Sequence, residues 1–276
     1  MITDGRGGLP RITIENEACS AEIYLHGAHV TRWRPRGGRD ALWMSERAVF
    51  AAGAPIRGGV PLCWPWFGPH PADPHARAHG FARTRAWTLE SIEATRLETR
   101  VRLSLSSDDE SRALWPHDFA LTFEARFGAA LDLALTTRNT GDAPFTITEA
   151  LHTYLAVDDV RRVTITGLDG APFADKVHGG AHVQRGPLRF TAETDRVYAH
   201  AGDCELHDGA RRVIVAKSGS HSTVVWNPWI DKAARMSDFG DDEWTGMLCI
   251  EAANALDAAV TVAPGEAHTI RTVIQR

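Results

Sequence analysis

Large apolar residues alternate with polar ones through the middle of the chain. In Leu97-Glu98-Thr99-Arg100-Val101-Arg102-Leu103-Ser104-Leu105 the period is two, which predicts a strand with one buried face. Phe119, Leu121, Phe123 and Phe127 repeat the pattern, with Thr122, Glu124 and Arg126 between them. Leu131, Leu133 and Leu135 repeat it again and run into the turn signal Asn139-Thr140-Gly141-Asp142. Near the C-terminus Val260 and Val262 lead into Pro264-Gly265, and Ile270 and Ile274 mark a last strand. Helical spacing is confined to two short pieces, Asp109 to Trp115 and Asp231 to Ser237. There is no internal repeat, low-complexity tract or Pro/Ser-rich linker. Many short strands between Gly, Pro and Asn turns predict an all-β sandwich or barrel, read as a single domain over residues 1–276.

Residues 53 to 83 break the alternation. They read Gly-Ala-Pro-Ile-Arg-Gly-Gly-Val-Pro-Leu-Cys-Trp-Pro-Trp-Phe-Gly-Pro, and later Ala-His-Gly-Phe-Ala-Arg. So much Gly and Pro fits neither a plain strand nor a helix. An irregular segment dense in aromatic and ionisable groups on a β scaffold is where a site is expected.

With 276 residues the chain can bury a sizeable core. Its 43% hydrophobic and 24% charged residues are ordinary for a soluble protein. A net charge of -5 argues against nucleic acid as a partner, while leaving room for one local basic pocket. No stretch approaches the roughly 20 apolar residues of a membrane helix, so no membrane partner is expected. Met1 to Pro10 has no apolar signal-peptide core. Cys19, Cys63, Cys204 and Cys249 form no C-x-x-C pair and read as free buried thiols of a reducing compartment, which predicts a cytoplasmic protein.

Several side chains have chemistry worth weighing. Arg57 sits beside Gly58-Gly59, where exposed N–H groups and a planar guanidinium suit a phosphate, and Arg83 is its candidate partner. Both also read as ordinary surface arginines. His79 and His152 can exchange protons near neutral pH, or can be satisfied core histidines. Glu251 ends an apolar run, where burial would raise its pKa toward that of a general base; solvent exposure is the plainer reading. Asp195 is either a turn residue or an acceptor for hydroxyl groups. Of Trp64, Trp66 and Phe67, core filling suits two rings and stacking on a ligand the third. The pairs His26-x-x-His29 and His178-x-x-x-His182 lack a third ligand, so no metal site is expected. No H-E-x-x-H, G-x-S-x-G, Walker A or convincing G-x-G-x-x-G occurs, so hydride transfer and ATP chemistry have no support.

An ordered set of segments carries a resemblance. Ile56-Arg57-Gly58-Gly59-Val60-Pro61-Leu62-Cys63-Trp64-Pro65-Trp66-Phe67-Gly68-Pro69 comes first, followed by His79-Gly80-Phe81-Ala82-Arg83 and His152. Asp195-Arg196-Val197-Tyr198, Val225-Trp226-Asn227-Pro228-Trp229 and Cys249-Ile250-Glu251-Ala252-Ala253-Asn254 complete it. Together they resemble the glucose-6-phosphate 1-epimerases, the hexose-6-phosphate mutarotases of the aldose 1-epimerase superfamily, from about residue 10 to 275. The resemblance implies a galactose-mutarotase-like β-supersandwich. It implies an isomerase of aldohexose 6-phosphates that opens and closes the sugar ring, and such chemistry needs no cofactor. It implies Glu251 as general base, His152 as general acid and His79 assisting at the ring oxygen. Asp195 would hold sugar hydroxyls, and Arg57 and Arg83 the 6-phosphate, with Lys232 or Arg85 as a third cation. The expected partner is a small sugar phosphate, and a monomer suffices. Two other readings stay open: a non-catalytic sugar-binding or sugar-sensing module, and an epimerase of unphosphorylated aldoses. A glycoside hydrolase would need a second carboxylate that cannot be placed.

Overall fold

The computed structural model describes residues 2–276. Two eight-stranded sheets dominate, and every pairing between their named strands is antiparallel. The backing sheet runs Thr164–Thr166, Cys204–Asp208, Arg211–Ser218, Ala267–Gln275, Leu131–Asn139, Phe119–Phe127, Thr99–Ser106, Thr88–Ala94. The site sheet runs Ala181–Val183, Pro172–Asp175, Thr194–Ala199, Ser222–Asn227, Met247–Asn254, Glu149–Leu151, Leu62–Cys63, and Tyr154–Ala156 also pairs with Met247–Asn254. A four-stranded N-terminal sheet spans Ile2–Asp4 to His29–Pro35, and Phe145–Ile147 pairs with Val260–Val262.

The alternation read from the sequence is the alternation of burial. Along Phe119–Phe127 every second residue is buried, and Phe119, Phe123 and Phe127 are among the most enclosed side chains. Truncating one of these rings to Ala would cost about 3–5 kcal/mol. The first expected strand begins at Thr99 rather than Leu97, because Leu97 and Glu98 donate their N–H groups to Thr95 Oγ1 in the preceding turn. The two short helices are present as Asp109–Leu114, capped by Asp108, and Trp229–Arg235. The second begins earlier than its charge pattern indicates. Pro228 supplies a preset φ at its start and Asn227 Oδ1 accepts the Trp229 N–H. Residues 53–83 contain only the two-residue strand Leu62–Cys63 and the single turn Ala82–Thr84.

Strand Met247–Asn254 is buried on both faces. Leu248, Ile250 and Ala252 face the main core, against strands Arg211–Ser218 and Ala267–Gln275 of the backing sheet. Strand alternation puts Cys249 and Glu251 on the opposite face, where Glu251 reaches the cleft and Cys249 stays packed within the same apolar cluster. Cross-strand register extends that second face: Val224 stands opposite Glu251, Trp226 opposite Cys249, and Asp195 opposite Trp226. Residues directly opposite in an antiparallel pair share a face. This outer face becomes the floor of a cleft because residues 53–83 fold over one side of it and helix Trp229–Arg235 over the other.

Candidate active site

The cleft has a volume of about 200 Å³ and is lined by Arg57, Phe67, His79, His152, Asp195 and Glu251 with Lys176, Lys232, Trp226, Val224 and Met236. Five of the six residues singled out from the sequence thus meet at one place, although up to 194 positions separate them (Arg57 to Glu251). Arg83 is the exception. Its Nη2 donates to the Ala78 carbonyl and it does not line the cleft, although its charge acts on His79, His152 and Glu251. Arg85 is likewise turned away, paired with Asp108 and Glu110.

The arginine loop is shaped by its glycines. Gly58 and Gly59 both have positive φ, and a Cβ on Gly59 would stand 2.2 Å from the Val30 carbonyl oxygen. This close approach seats the loop on strand His29–Pro35, and the His29 ring holds the Gly58 carbonyl at 2.8 Å. Arg57 then points into the cleft. Its Nε and Nη2 meet Asp238 Oδ2 at 3.1 and 3.0 Å, and its Nη1 donates to the Tyr154 hydroxyl at 2.9 Å. Two of the five guanidinium N–H groups remain for a ligand. Burial works against the charge on Arg57, but Tyr154 and Asp238 outweigh it and hold the guanidinium firmly protonated.

His79 also has positive φ, followed by Gly80 packed against the Trp64 carbonyl. The His79 N–H donates to Gly68 O at 2.7 Å, and the Gly68 N–H donates back to His79 Nδ1 at 3.2 Å. An Nδ1 that accepts leaves the ring proton on Nε2. Burial pushes the His79 pKa well below the ordinary value, with Arg83, Lys176 and Arg57 adding to the push. His79 is therefore a neutral N–H donor.

The centre of the cleft is His152 and Glu251. The His152 N–H donates to Pro61 O, tying the strand after Glu149–Leu151 to the arginine loop. Its ring stacks on Tyr154 at 4.7 Å with an interplanar angle of 8°. Nδ1 lies 3.4 Å from Glu251 Oε1, and neither this nitrogen nor either carboxylate oxygen has a hydrogen-bond partner among the described residues. Burial drives the two groups in opposite directions. It raises the Glu251 carboxyl well above its usual range, helped by Asp195 and opposed by Lys176 and Arg83. It lowers His152 well below its own, helped by His79, Arg57 and Arg83. Burial thus favours the uncharged form of both groups, although the short distance alone would suggest an ion pair. Cys249 lies beside them, and one ligand atom from each of the three residues falls within 4.8 Å of the others.

The sequence reading missed two of the site's charged contacts. Lys176 follows strand Pro172–Asp175. Its Nζ stands 3.7 Å from Asp195 Oδ1 and 5.6 Å over the Phe67 ring. Asp238, the Arg57 partner, lies in the turn after helix Trp229–Arg235, and that helix carries Lys232, which pairs with Glu193 at 3.0 Å. Of the three aromatic rings in this run, Trp64 and Trp66 are buried and Phe67 lines the cleft.

Comparison with known proteins finds relatives in sequence and in fold. A Cenchrus ciliaris protein provisionally named glucose-6-phosphate 1-epimerase is 36% identical over 94% of this chain and 82% of its own. The crystal structure of YeaD from Salmonella typhimurium, provisionally named a mutarotase, superposes with a TM-score of 0.91 at 32% identity. The match covers 97% of this chain and 90% of that one. Galactose 1-epimerase from Lactobacillus acidophilus shares the fold, with a TM-score of 0.75 at 14% identity over 100% of this chain and 97% of that one. The all-β supersandwich expected from the sequence is therefore the architecture found. Residues 10–275 match the aldose 1-epimerase family, and the chain belongs to that family.

Proposed function

We propose that this protein interconverts the α and β anomers of aldohexose 6-phosphates, with glucose 6-phosphate as the expected substrate. The carrying observation is the facing pair of His152 and Glu251, buried without other partners on the floor of a sugar-sized cleft. A protein that only binds sugar needs hydroxyl acceptors and an aromatic platform, but no such pair.

Ring opening requires a proton to leave the C1 hydroxyl and a proton to reach the ring oxygen. Moving the Glu251 proton to His152 gives a carboxylate and an imidazolium without changing the number of protons held. The carboxylate then takes the C1 hydroxyl proton, and the imidazolium protonates the ring oxygen as the C1–O5 bond breaks. The free aldehyde remains, and the pair has returned to its resting protonation. Rotation about C1–C2 presents the other carbonyl face. Reversing the two transfers closes the opposite anomer. Each positioned acid or base contributes roughly 100- to 10,000-fold.

The remaining groups orient the sugar. The Nε2–H of His79 suits the ring oxygen, and Asp195 suits a pair of hydroxyls. The free edge of Arg57 suits the 6-phosphate, with Lys176 and Lys232 adding positive charge at the cleft wall. Arg83 acts from behind as fixed charge. All of these groups come from one chain, so a monomer suffices and the whole chain is read as one mutarotase unit. No described helix is long and apolar enough to cross a membrane. Four buried free thiols fit a reducing compartment, and we place the protein in the cytoplasm.

One observation favours a second reading, an epimerase of neutral aldoses: Asp238 already neutralises one edge of Arg57. Anomer exchange followed by NMR on glucose 6-phosphate and on glucose, above the spontaneous rates, decides between them. Acceleration of the phosphate ester alone is the expected result. Acceleration of glucose alone would establish the second reading, and no acceleration of either would leave a binding module.

A further inference from the structure

Cys249 has no part in the sugar chemistry, yet strand alternation places it on the cleft face two residues before Glu251. Its Sγ, the His152 nitrogen and a Glu251 oxygen all lie within 4.8 Å of one another. Three atoms of this cluster are buried and unpartnered: His152 Nδ1, Glu251 Oε1 and Glu251 Oε2. Leaving such atoms bare is costly, and in a cluster it marks a place where something binds.

The geometry points to a metal. Tetrahedral zinc takes nitrogen and oxygen ligands at about 2.0–2.2 Å and sulfur at about 2.3 Å, so adjacent ligand atoms sit roughly 3.3–3.6 Å apart. His152 Nδ1 and Glu251 Oε1 are already 3.4 Å apart. The sulfur lies within 4.8 Å of both atoms and would move closer to coordinate, and His152 and Glu251 line the cleft from which a fourth ligand would come. Magnesium and calcium prefer all-oxygen shells, whereas one sulfur, one imidazole nitrogen and one carboxylate select a borderline-soft ion.

We propose that His152, Cys249 and Glu251 form a binding site for a borderline-soft divalent cation such as Zn2+, and that its occupation switches the isomerase off. On binding, the Cys249 thiol proton and the Glu251 carboxyl proton leave to solvent, and sulfur and oxygen bond to the ion. The ion then occupies the lone pairs that would carry protons to and from the sugar. Binding follows from the geometry alone; only its inhibitory effect rests on the function proposed above.

Cobalt(II) titrated into the intact protein tests the site without reference to activity. Wild type should give tetrahedral visible bands and a near-ultraviolet thiolate-to-cobalt band, both removed by one equivalent of Zn2+. Cys249→Ala, checked for folding by its melting temperature, should lose the near-ultraviolet band. Its anomer exchange, relative to its own zinc-free rate, should need at least about tenfold more Zn2+ for half inhibition. Should Cys249→Ala fold poorly, Cys249→Ser gives the same comparison. Absence of the thiolate band in wild type overturns the proposal, as does equal zinc sensitivity of wild type and variant. A wild type that binds cobalt through Cys249 but exchanges no anomers keeps the site and overturns the catalytic reading instead.

Discussion

His152 Nδ1 and Glu251 Oε1 face each other across 3.4 Å with no third group between them to satisfy either atom. Each is the other's facing titratable partner, with the Cys249 thiol within 4.8 Å of both. The two work as one unit, so their substitutions should not be additive. Glu251→Gln and His152→Asn should each lower anomer exchange by about 100-fold or more. The double variant should be little slower than the worse single one. Glu251→Gln is isosteric and should melt within a few degrees of wild type, whereas variants carrying His152→Asn lose the ring stacked on Tyr154 and should melt lower while staying folded. A single variant retaining near-wild-type turnover would remove that residue from the proton path.

Arg57 presents only the edge that Asp238 and Tyr154 leave free. Lysine keeps the charge but loses the fork and the bond to Tyr154. Arg57→Lys should raise KM for glucose 6-phosphate by roughly tenfold, about 1.4 kcal/mol of binding. The effect on neutral glucose should be much smaller. Equal losses on both substrates would place Arg57 on the sugar ring rather than on the phosphate.

His79 should stay neutral where an ordinary histidine begins to charge. Burial and three surrounding cations oppose its protonation, and the Gly68 N–H occupies Nδ1. Nitrogen chemical shifts should report the Nε2–H tautomer on the acid side of the ordinary histidine value of about 6.5. A titration near the ordinary histidine value would refute the donor role. His79→Asn keeps an amide donor and tolerates the positive φ, so it should fold and retain part of the rate.

How far the sequence carries depends on which face of each strand is wet. Phe119–Phe127 lies between a core and solvent, and its alternation is written in residue type. Met247–Asn254 is buried on both sides and reads as one apolar run, so which way Glu251 points could not be taken from its neighbours. The site residues were legible because an irregular, glycine-rich segment and charges inside apolar strands are locally unusual. Lys176 and Asp238 carry no such mark. Each looks like a surface charge, and its role comes from a partner distant in the chain: Asp195 for the one, and Arg57, 181 residues away, for the other. Arg83 shows the opposite error, since its motif stands beside His79 but its guanidinium turns back to Ala78.

A polar cluster near the floor of the cleft links stability to pH. Glu149 is fully buried three residues before His152, and Asn254 lies three residues after Glu251. Glu149 Oε1 accepts from Asn254 Nδ2 at 3.0 Å and lies 3.0 Å from His268 Nε2, which also stands 3.2 Å from Asn254 Nδ2. This ties together the two strands that carry the acid–base pair. The hydrogen bond to Glu149 raises the His268 pKa above its ordinary value, partly opposed by burial. A pKa raised by folding adds stability that is fully present below the unfolded value of about 6.5 and is lost as pH rises through the folded value. His268→Gln should therefore melt below wild type by an amount that is greatest at and below about pH 6. At that pH the loss of a charge-assisted hydrogen bond should cost about 1–2 kcal/mol. The gap should narrow steadily on the alkaline side. Thermal melts of both proteins across this range test the linkage, and a gap that stays constant with pH would show that His268 contributes packing rather than a proton.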